Sequence, residues 1–340
     1  MQILLTLRKD EQILANISLI IPTYNRCELL KVTMPHYLAL RNIREILIID
    51  DHGADDTESY ISQVSKRNPK VRYIRSEVRR RQPATRNTGL NQVAKDIDYV
   101  LFGEDDVIMP PDHATMLLAK MQEYDSDIAG GRTLSIRRGE TFEECIARYH
   151  RCLERYEGHK KKLRLVNEDL MLDNFAIDRT QPALFLSALS LFRRDVFNNI
   201  RFDEAYKHNC FREETDIYLQ AKMQGFSTIF VGECNCFHLP KTGGGAHDYG
   251  FALSPKLVRL LAVVGLPEDT YSIINNNYFL NKYYDHLKDW CHYSRRKEYY
   301  EILFALHLIK RRLWLPVDLV VRRTMGSDAA DCGLIANSWY

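Results

Sequence analysis

The sequence lacks a long hydrophobic run and an excess of charge of either sign. Its apolar stretches stay short of the roughly 18 residues that a membrane-spanning helix needs. The 47 basic and 45 acidic residues leave a formal net charge of +2, so nothing in the charge balance supports nucleic-acid binding as the main role. A secretion signal is also missing from residues 1–16, where residues 8–11 are all charged. We therefore expect a cytoplasmic protein.

A regular cysteine framework is absent as well. The eight cysteines are scattered between Cys27 and Cys332, and a long chain without a signal peptide is expected to keep them as thiols. The remaining composition, 45% hydrophobic and 27% charged, is that of an ordinary globular protein. Its 340 residues suffice for one large α/β domain with a smaller appendage.

Strand and helix patterns alternate in the first third of the chain. Short β-branched apolar runs predict strands, and helical spacing of apolar residues predicts helices between them. The predicted strands are 17–21, 46–49, 71–74 and 99–102, and the predicted helices are 28–40, 56–67 and 83–93. This alternation predicts an α/β fold with a mostly parallel central sheet flanked by helices, in which ligands bind beyond the carboxyl ends of the strands.

Three adjacent acids, Glu104, Asp105 and Asp106, follow the fourth predicted strand. Neighbouring carboxylates repel one another unless a cation is present, and a hard divalent ion would bridge them to a diphosphate. The alternative is a solvated surface loop, because exposed acids are common.

Four short segments together resemble the family 2 glycosyltransferases of the GT-A fold. They are 18–26 (SLIIPTYNR), 48–53 (IIDDHG), 83–89 (PATRNTG) and 101–107 (LFGEDDV). Each is weak alone, but all four stand in the family's order and spacing, and the resemblance covers roughly residues 17–240. It implies a GT-A, Rossmann-like fold with a helical C-terminal appendage.

The resemblance implies a nucleotide-sugar donor site at the strand ends. Tyr24 would offer a stacking face to the base, and Asp50 would accept a hydrogen bond from the imide of uracil, which favours a UDP-sugar. Arg86 would approach the diphosphate from the start of its helix, whereas the basic run 79–81 is interpreted as solvated. The residues assigned to donor binding are Thr23, Tyr24, Asn25, Arg26, Asp50, Asp51, Arg86, Glu104 and Asp105.

The metal site implied by the resemblance holds Mn²⁺ or Mg²⁺ on Asp106, Glu104 and His238. His238 follows a predicted strand at 228–231, where many GT-A enzymes have a third ligand. Glu104 stands at the start of the metal motif, where the family more usually has Asp, and its side chain is longer than that of Asp. A zinc site on Cys234, Cys236 and His238, with Cys210 as a candidate fourth ligand, is the alternative, although the cysteine spacing is unusual for zinc.

The catalytic base implied by the resemblance is Glu214, with Glu213 as second choice. Both open a predicted helix, 213–224, in a segment that looks like the family's Glu-Asp-x-Asp motif with Glu214 replacing the Asp. An inverting transfer needs a carboxylate that takes the proton of the acceptor hydroxyl. The alternative is that these acids only complement the helix dipole.

Two regions are predicted along the chain. Residues 1–250 would form the GT-A domain that binds the nucleotide-sugar and catalyses the transfer, and residues 251–340 would form a helical region for acceptor, oligomer or membrane contacts. Within the second region, 299–323 interleaves apolar and basic residues and could lie on the inner membrane face as a peripheral contact.

We therefore predict a metal-dependent, inverting hexosyltransferase that acts in surface polysaccharide or glycolipid synthesis. Its acceptor would be the hydroxyl of a saccharide, of a lipid-linked molecule or of another compound. The alternatives are an inactive nucleotide-sugar-binding subunit and a sugar-nucleotide pyrophosphorylase. The second expects a Gly-rich loop after the first strand, where this chain has PTYNR.

Overall fold

A computed structural model describes residues 15–157, 165, 166, 170, 172, 174, 177–240, 269–291, 297, 298 and 300. The strands are β1 Ile17–Thr23, β2 Ile43–Asp50, β3 Val71–Arg75, β4 Tyr99–Phe102, β5 Val107–Ile108, β6 Ile128–Ser135, β7 Gln181–Pro182, β8 Ser190–Arg193 and β9 Thr228–His238. The helices are α1 Cys27–Ala39, α2 Thr57–Arg67, α3 Gln82–Gln92, α4 His113–Glu123, α5 Phe142–Glu157, α6 Glu213–Met223 and α7 Asp269–Cys291. The α/β prediction is confirmed over these residues.

The parallel half of the sheet is the half that the sequence pattern predicted. Its strands lie in the order β3-β2-β1-β4, and each neighbouring pair is parallel. β1 extends past Pro22 to Thr23, although the sequence pattern predicted that it stops before the proline. Pro22 is paired with Ile49 of β2 on one side. On the other side β4 pairs with β1 only as far as Ile20, so no partner there requires the N–H that Pro22 lacks.

The other half of the sheet is mixed, which corrects the prediction of a mostly parallel sheet. The order continues β4-β8-β6-β9-β5, with β8 antiparallel to both neighbours and β6 parallel to β9. β6 contains Gly130 and Gly131, and glycines weaken a strand pattern in the sequence. They are needed here because a Cβ on Gly130 would lie 2.1 Å from Ser190 Oγ, and one on Gly131 would lie 2.3 Å from the Cys234 carbonyl oxygen.

Helix α7 packs against the α6 side of the sheet. Its apolar face, including Phe279 and Tyr283, is buried together with Tyr206, Cys210 and Leu219. The predicted boundary at residue 250 and, except for residue 300, the stretch 299–323 lie outside the described residues. Among the described helices, none is long and apolar enough to cross a membrane.

The first residue of α4 makes stability depend on pH. His113 is buried, its Nδ1 lies 3.2 Å from Cys234 Sγ, and burial lowers its pKa to about 4. Between about pH 6.5 and 4, His113 is therefore protonated in the unfolded chain but neutral in the folded chain. We expect the free energy of unfolding to fall by about 3 kcal/mol as the pH drops from above 6.5 to about 4.

The measurement is urea unfolding across this pH range, with His113→Asn as the matched variant that cannot titrate. The difference in pH dependence between the two proteins isolates the imidazole. Parallel curves for the wild type and the variant would contradict the assignment.

Candidate active site

One cleft opens at the carboxyl ends of β1, β2 and β4, as expected for a ligand site of an α/β sheet. β6, the end of β9 and the segment before α6 complete its walls. The predicted site residues that line it are Thr23, Tyr24, Arg26, Asp51, Glu104, Asp105, Asp106, Glu213, Glu214 and His238. Predicted residues from three of the four motif segments thus line the same cleft as Glu213, Glu214 and His238.

The acidic loop after β4 is held from behind by helix α1. The Tyr37 hydroxyl donates to the backbone carbonyl of Glu104 at 2.7 Å, and the Thr33 hydroxyl donates to that of Asp105 at 3.2 Å. Both anchoring side chains are fully buried. The carboxylates therefore stand on a fixed backbone, as a binding site requires.

Glu104, Asp106 and His238 form the one group among the described residues that places three candidate metal-ligand atoms within 4.8 Å of one another. The sequence pattern predicted that His238 follows the strand. In the structure the strand is longer, and His238 is the last residue of β9. Two carboxylates and an imidazole are a donor set suited to Mn²⁺ or Mg²⁺.

The pKa values in this cluster report an unbalanced negative charge. Burial, together with the charges of Glu214 and Asp106, raises the pKa of Glu104 to about 8. Burial and the charge of Asp106 raise that of Asp105 to about 6. A divalent cation would lower both pKa values by supplying the missing positive charge, so the residues fit the predicted metal.

Asp105 differs from its two acidic neighbours in its partners. Its carboxylate accepts hydrogen bonds from the Thr23 hydroxyl and from Arg26 Nη1, both at 2.9 Å. Arg26 Nη1 also lies 2.7 Å from Asp106 Oδ2. Asp105 therefore ties the end of β1 to the acidic loop, which brings the first and the fourth of the predicted motifs into one site.

The zinc alternative is contradicted by the positions of the two cysteines. Cys234 lies beside His113, whereas Cys236 lies 3.3 Å from the Thr133 hydroxyl. Burial raises the pKa of both thiols, to about 12 for Cys236. Among the described residues, the one group with three candidate metal-ligand atoms close together contains neither cysteine, so these thiols are buried core residues.

On the nucleotide side, the two aspartates after β2 have different surroundings. Asp50 is buried, with its carboxylate accepting from the Gly53 amide at 2.7 Å and from the Tyr73 hydroxyl at 2.6 Å. Asp51 lines the cleft and accepts from the amides of Arg80 and Arg81 at 2.7 and 2.8 Å. Base recognition by Asp50 stays a prediction, and Asp51 is the aspartate that faces the cleft.

Two further predicted donor residues have clear partners. Asn25 has a left-handed backbone, with φ of 52°, and its Oδ1 accepts from the Ala54 amide at 2.7 Å, which joins the loops after β1 and β2. The Tyr24 ring carries the Arg79 guanidinium at 3.7 Å from its centroid. The face on which the base was expected to stack is therefore already electropositive.

Arg86 lies elsewhere than predicted. Its side chain is fully buried and pairs with Glu213, with Glu104 at 3.3 Å and with Glu214 at 3.4 Å. It stands behind the acidic residues and does not line the cleft. The reason is electrostatic: three glutamates converge there, and one buried guanidinium offsets part of their repulsion.

We expect Arg86→Met to lower the free energy of unfolding by about 3 to 5 kcal/mol, because the buried Glu213 carboxylate loses its partner. Urea unfolding at about pH 9, above the raised pKa of Glu213, measures the loss, because the carboxyl is then ionised. The double variant Arg86→Met/Glu213→Gln is the control, since it removes both members of the pair and should regain much of the stability. Wild-type stability of the single variant would contradict the pairing.

The two candidate bases are distinguished by exposure. The Glu213 side chain is 2% exposed and faces Arg86, and burial raises its pKa to about 8. The Glu214 side chain is 34% exposed and lines the cleft. Its Oε2 accepts from the Ala188 amide at 3.1 Å. The geometry therefore favours Glu214 as the group that meets an acceptor.

Sequence reasoning missed several cleft residues. They are Arg79, Arg81, Gln82, Thr85, Thr133, Ser135, Ser187 and the segment 208–212. The basic run was interpreted as solvated, yet its backbone is bound to Asp51 through two amides, and Arg79 and Arg81 line the cleft. Thr133 and Ser135 belong to β6, which the pattern did not predict, so no local signal identified them.

The sequence model described as glycosyl transferase family 2 matches residues 18–201. A GalNAc(5)-diNAcBac-PP-undecaprenol beta-1,3-glucosyltransferase of Campylobacter jejuni is 23% identical over 201 residues, which are 57% of this chain and 56% of that protein. Glycosyltransferase GlyA of Streptococcus pneumoniae is 30% identical over 126 residues, 36% of this chain and 18% of that one. The chain thus spans about half or less of the length of these relatives.

Solved structures share the fold at low sequence identity. S. aureus TarS 1–349, in complex with UDP-GlcNAc, has a TM-score of 0.50 and 16% identity, covering 93% of this chain and 88% of that one. GalNAc-T7 with UDP, GalNAc and Mn²⁺ has a TM-score of 0.52 and 16% identity, covering 77% and 50%. The predicted GT-A fold is thereby confirmed.

Proposed function

The chain belongs to the family 2 glycosyltransferases, and on that premise we propose that it is an inverting, Mn²⁺- or Mg²⁺-dependent enzyme that uses a UDP-sugar. One observation carries the proposal: the acidic cluster and Glu214 line a single cleft. Glu104 and Glu214 even contact the same nitrogen, Nη2 of Arg86. A leaving-group site and a base are thus adjacent, as a direct displacement requires.

Glu214 has the position of a general base. Its exposed carboxylate accepts the proton of the acceptor hydroxyl while the hydroxyl oxygen attacks the anomeric carbon. The bond from that carbon to the diphosphate oxygen breaks, UDP leaves, and the configuration inverts. The Ala188 amide and Arg86 hold the carboxylate through its two oxygens, so little reorganisation accompanies the transfer.

Glu104, Asp106 and His238 are the residues that would hold the divalent cation. When bound, it would offset the negative charge that develops on the departing diphosphate. Tyr24 and Arg79, which also line the cleft, form the stacked pair that would meet the nucleobase.

The acceptor is proposed to be a saccharide or a lipid-linked hydroxyl. The Campylobacter relative bears the name of an undecaprenol-linked substrate, and TarS and GalNAc-T7 were solved with UDP-sugar or UDP. A lipid-linked acceptor would bring the enzyme to the inner face of the membrane, in surface polysaccharide or glycolipid synthesis.

The test is a panel of nucleotide-sugars, each incubated with Mn²⁺ or Mg²⁺ while the released nucleoside diphosphate is measured. We expect release from a UDP-sugar, and NMR of a transfer product should show an inverted anomeric centre. Tight nucleotide binding without release from any donor, with or without saccharide acceptors, would instead support the inactive binding subunit.

A further inference from the structure

The segment between residues 207 and 212 is a strained wall of the cleft. His208, Cys210 and Arg212 have left-handed backbones, with φ of 49°, 53° and 75°. Residues other than Gly, Asn, Asp and His rarely adopt this conformation, so Cys210 and Arg212 are the strained positions. The segment lines the cleft and leads directly into Glu213 and Glu214. Strain of this kind persists only where the surroundings over-determine the backbone.

Helix α7 supplies the contacts that over-determine it. Asn275 accepts a hydrogen bond from the Lys207 amide and donates one to the Lys207 carbonyl, both at 2.8 Å, and it donates another to Asn209 Oδ1 at 3.1 Å. Ser272 Oγ accepts from Asn209 Nδ2 at 2.7 Å. These bonds reach both the backbone and a side chain of the segment.

The far end of the segment is held in the same way. Asn276 Oδ1 accepts from Arg212 Nε at 3.0 Å, one residue before α6 begins. The ring centroids of Tyr271 and His208 lie 3.6 Å apart. Four side chains of α7, at positions 271, 272, 275 and 276, thus contact both ends of the strained segment.

The residue types show that these contacts are specific. Asn275 and Asn276 are 1% and 2% exposed, and asparagine is a poor helix former whose amide is costly to bury without partners. Apolar residues at these positions would suffice if α7 only covered the core. The buried amides are explained by the bonds they make to residues 207–212.

We infer that α7 is part of the catalytic apparatus: Asn275 and Asn276 are positioning residues that hold residues 207–212, and with them Glu214, at the cleft. This inference rests on the proposed transferase function. It assigns to a helix from the C-terminal region a role in the chemistry of a site whose other described residues all lie before residue 240.

Asn277 provides a matched control, because it is the third asparagine of the same run and is half-buried. No side-chain hydrogen bond is found for it within the part of the chain that the structure describes. We expect Asn275→Ala and Asn276→Ala to lower kcat by 10- to 100-fold at saturating donor and acceptor. Asn277→Ala should stay within twofold of the wild type. The UDP Kd should change less than twofold in all three.

Amide hydrogen exchange provides a readout that does not depend on activity. Amides of 208–212 should exchange at least tenfold faster in Asn275→Ala than in Asn277→Ala. Because alanine at a buried position can also lower the folded yield, Ser272→Ala serves as a milder second variant with a smaller change in the same direction. Asn275→Asp keeps the acceptor for the Lys207 amide and should be intermediate.

Equal kcat and equal exchange for Asn275→Ala and Asn277→Ala would overturn the inference. So would a loss of activity that merely follows a loss of folded protein and of UDP binding, since that describes a structural helix. A wild-type protein that transfers from no donor would instead refute the proposed function and the catalytic role with it. The exchange rates would then still decide whether α7 restrains the segment.

Discussion

Replacing Glu214 by Gln is expected to lower the transfer rate by about 10² to 10⁴-fold, the usual contribution of a general base. Glutamine has nearly the same shape and keeps an oxygen for the Ala188 amide, but it cannot accept a proton from the acceptor hydroxyl. The effect should fall on kcat, because Glu214 belongs to the acceptor side. UDP binding, measured by calorimetry with Mn²⁺ present, should stay close to wild type.

Glu213→Gln is the matched control, since it makes the same chemical change one residue away. Glu213 faces Arg86 and is almost fully buried, so its variant should alter stability more than kcat. If the Glu213 variant loses transfer while the Glu214 variant keeps it, the roles of the two residues are exchanged. If both keep the wild-type rate, the base lies elsewhere.

Replacing Asp106 by Asn is expected to abolish the dependence of UDP binding on Mn²⁺ and to lower transfer by at least about 10²-fold, the loss associated with removing a single group that stabilises transition-state charge. The amide has the shape of the carboxylate without its charge, and Asp106 is the member of the metal group that contacts both Arg26 and His238. Calorimetry of UDP with Mn²⁺ and with a chelator measures the difference.

The same variant should not weaken the metal-free fold, which separates this prediction from simple damage. The charge of Asp106 raises the pKa of both Glu104 and Asp105, so its removal relieves repulsion, while Arg26 keeps Asp105 as an ion-pair partner. Asp125→Asn, in an exposed turn with φ of 48° that Asn also tolerates, is the control. A Mn²⁺-dependent UDP affinity that survives in Asp106→Asn would refute the assigned metal site.

The accuracy of the sequence predictions follows how local each signal is. The four parallel strands and their helices were predicted because apolar periodicity is a property of a few consecutive residues. β6 was missed because it contains Gly130 and Gly131, which the close approach of Ser190 and Cys234 requires. That approach involves contacts between residues 60 and 103 positions apart, which no local window contains.

The sequence by itself determined the parallel half of the sheet, the family, and the cluster of acids at the carboxyl edge of that half, because strand alternation and short motifs encode these features locally. The tertiary structure decided which member of each polar pair faces the cleft: Asp51 lines it while Asp50 does not, and Glu214 is exposed there while Glu213 is buried. It also turned Arg86 inward and brought α7 against the active-site wall. These outcomes depend on burial and on pairing between distant charges, and both arise only when the chain is packed.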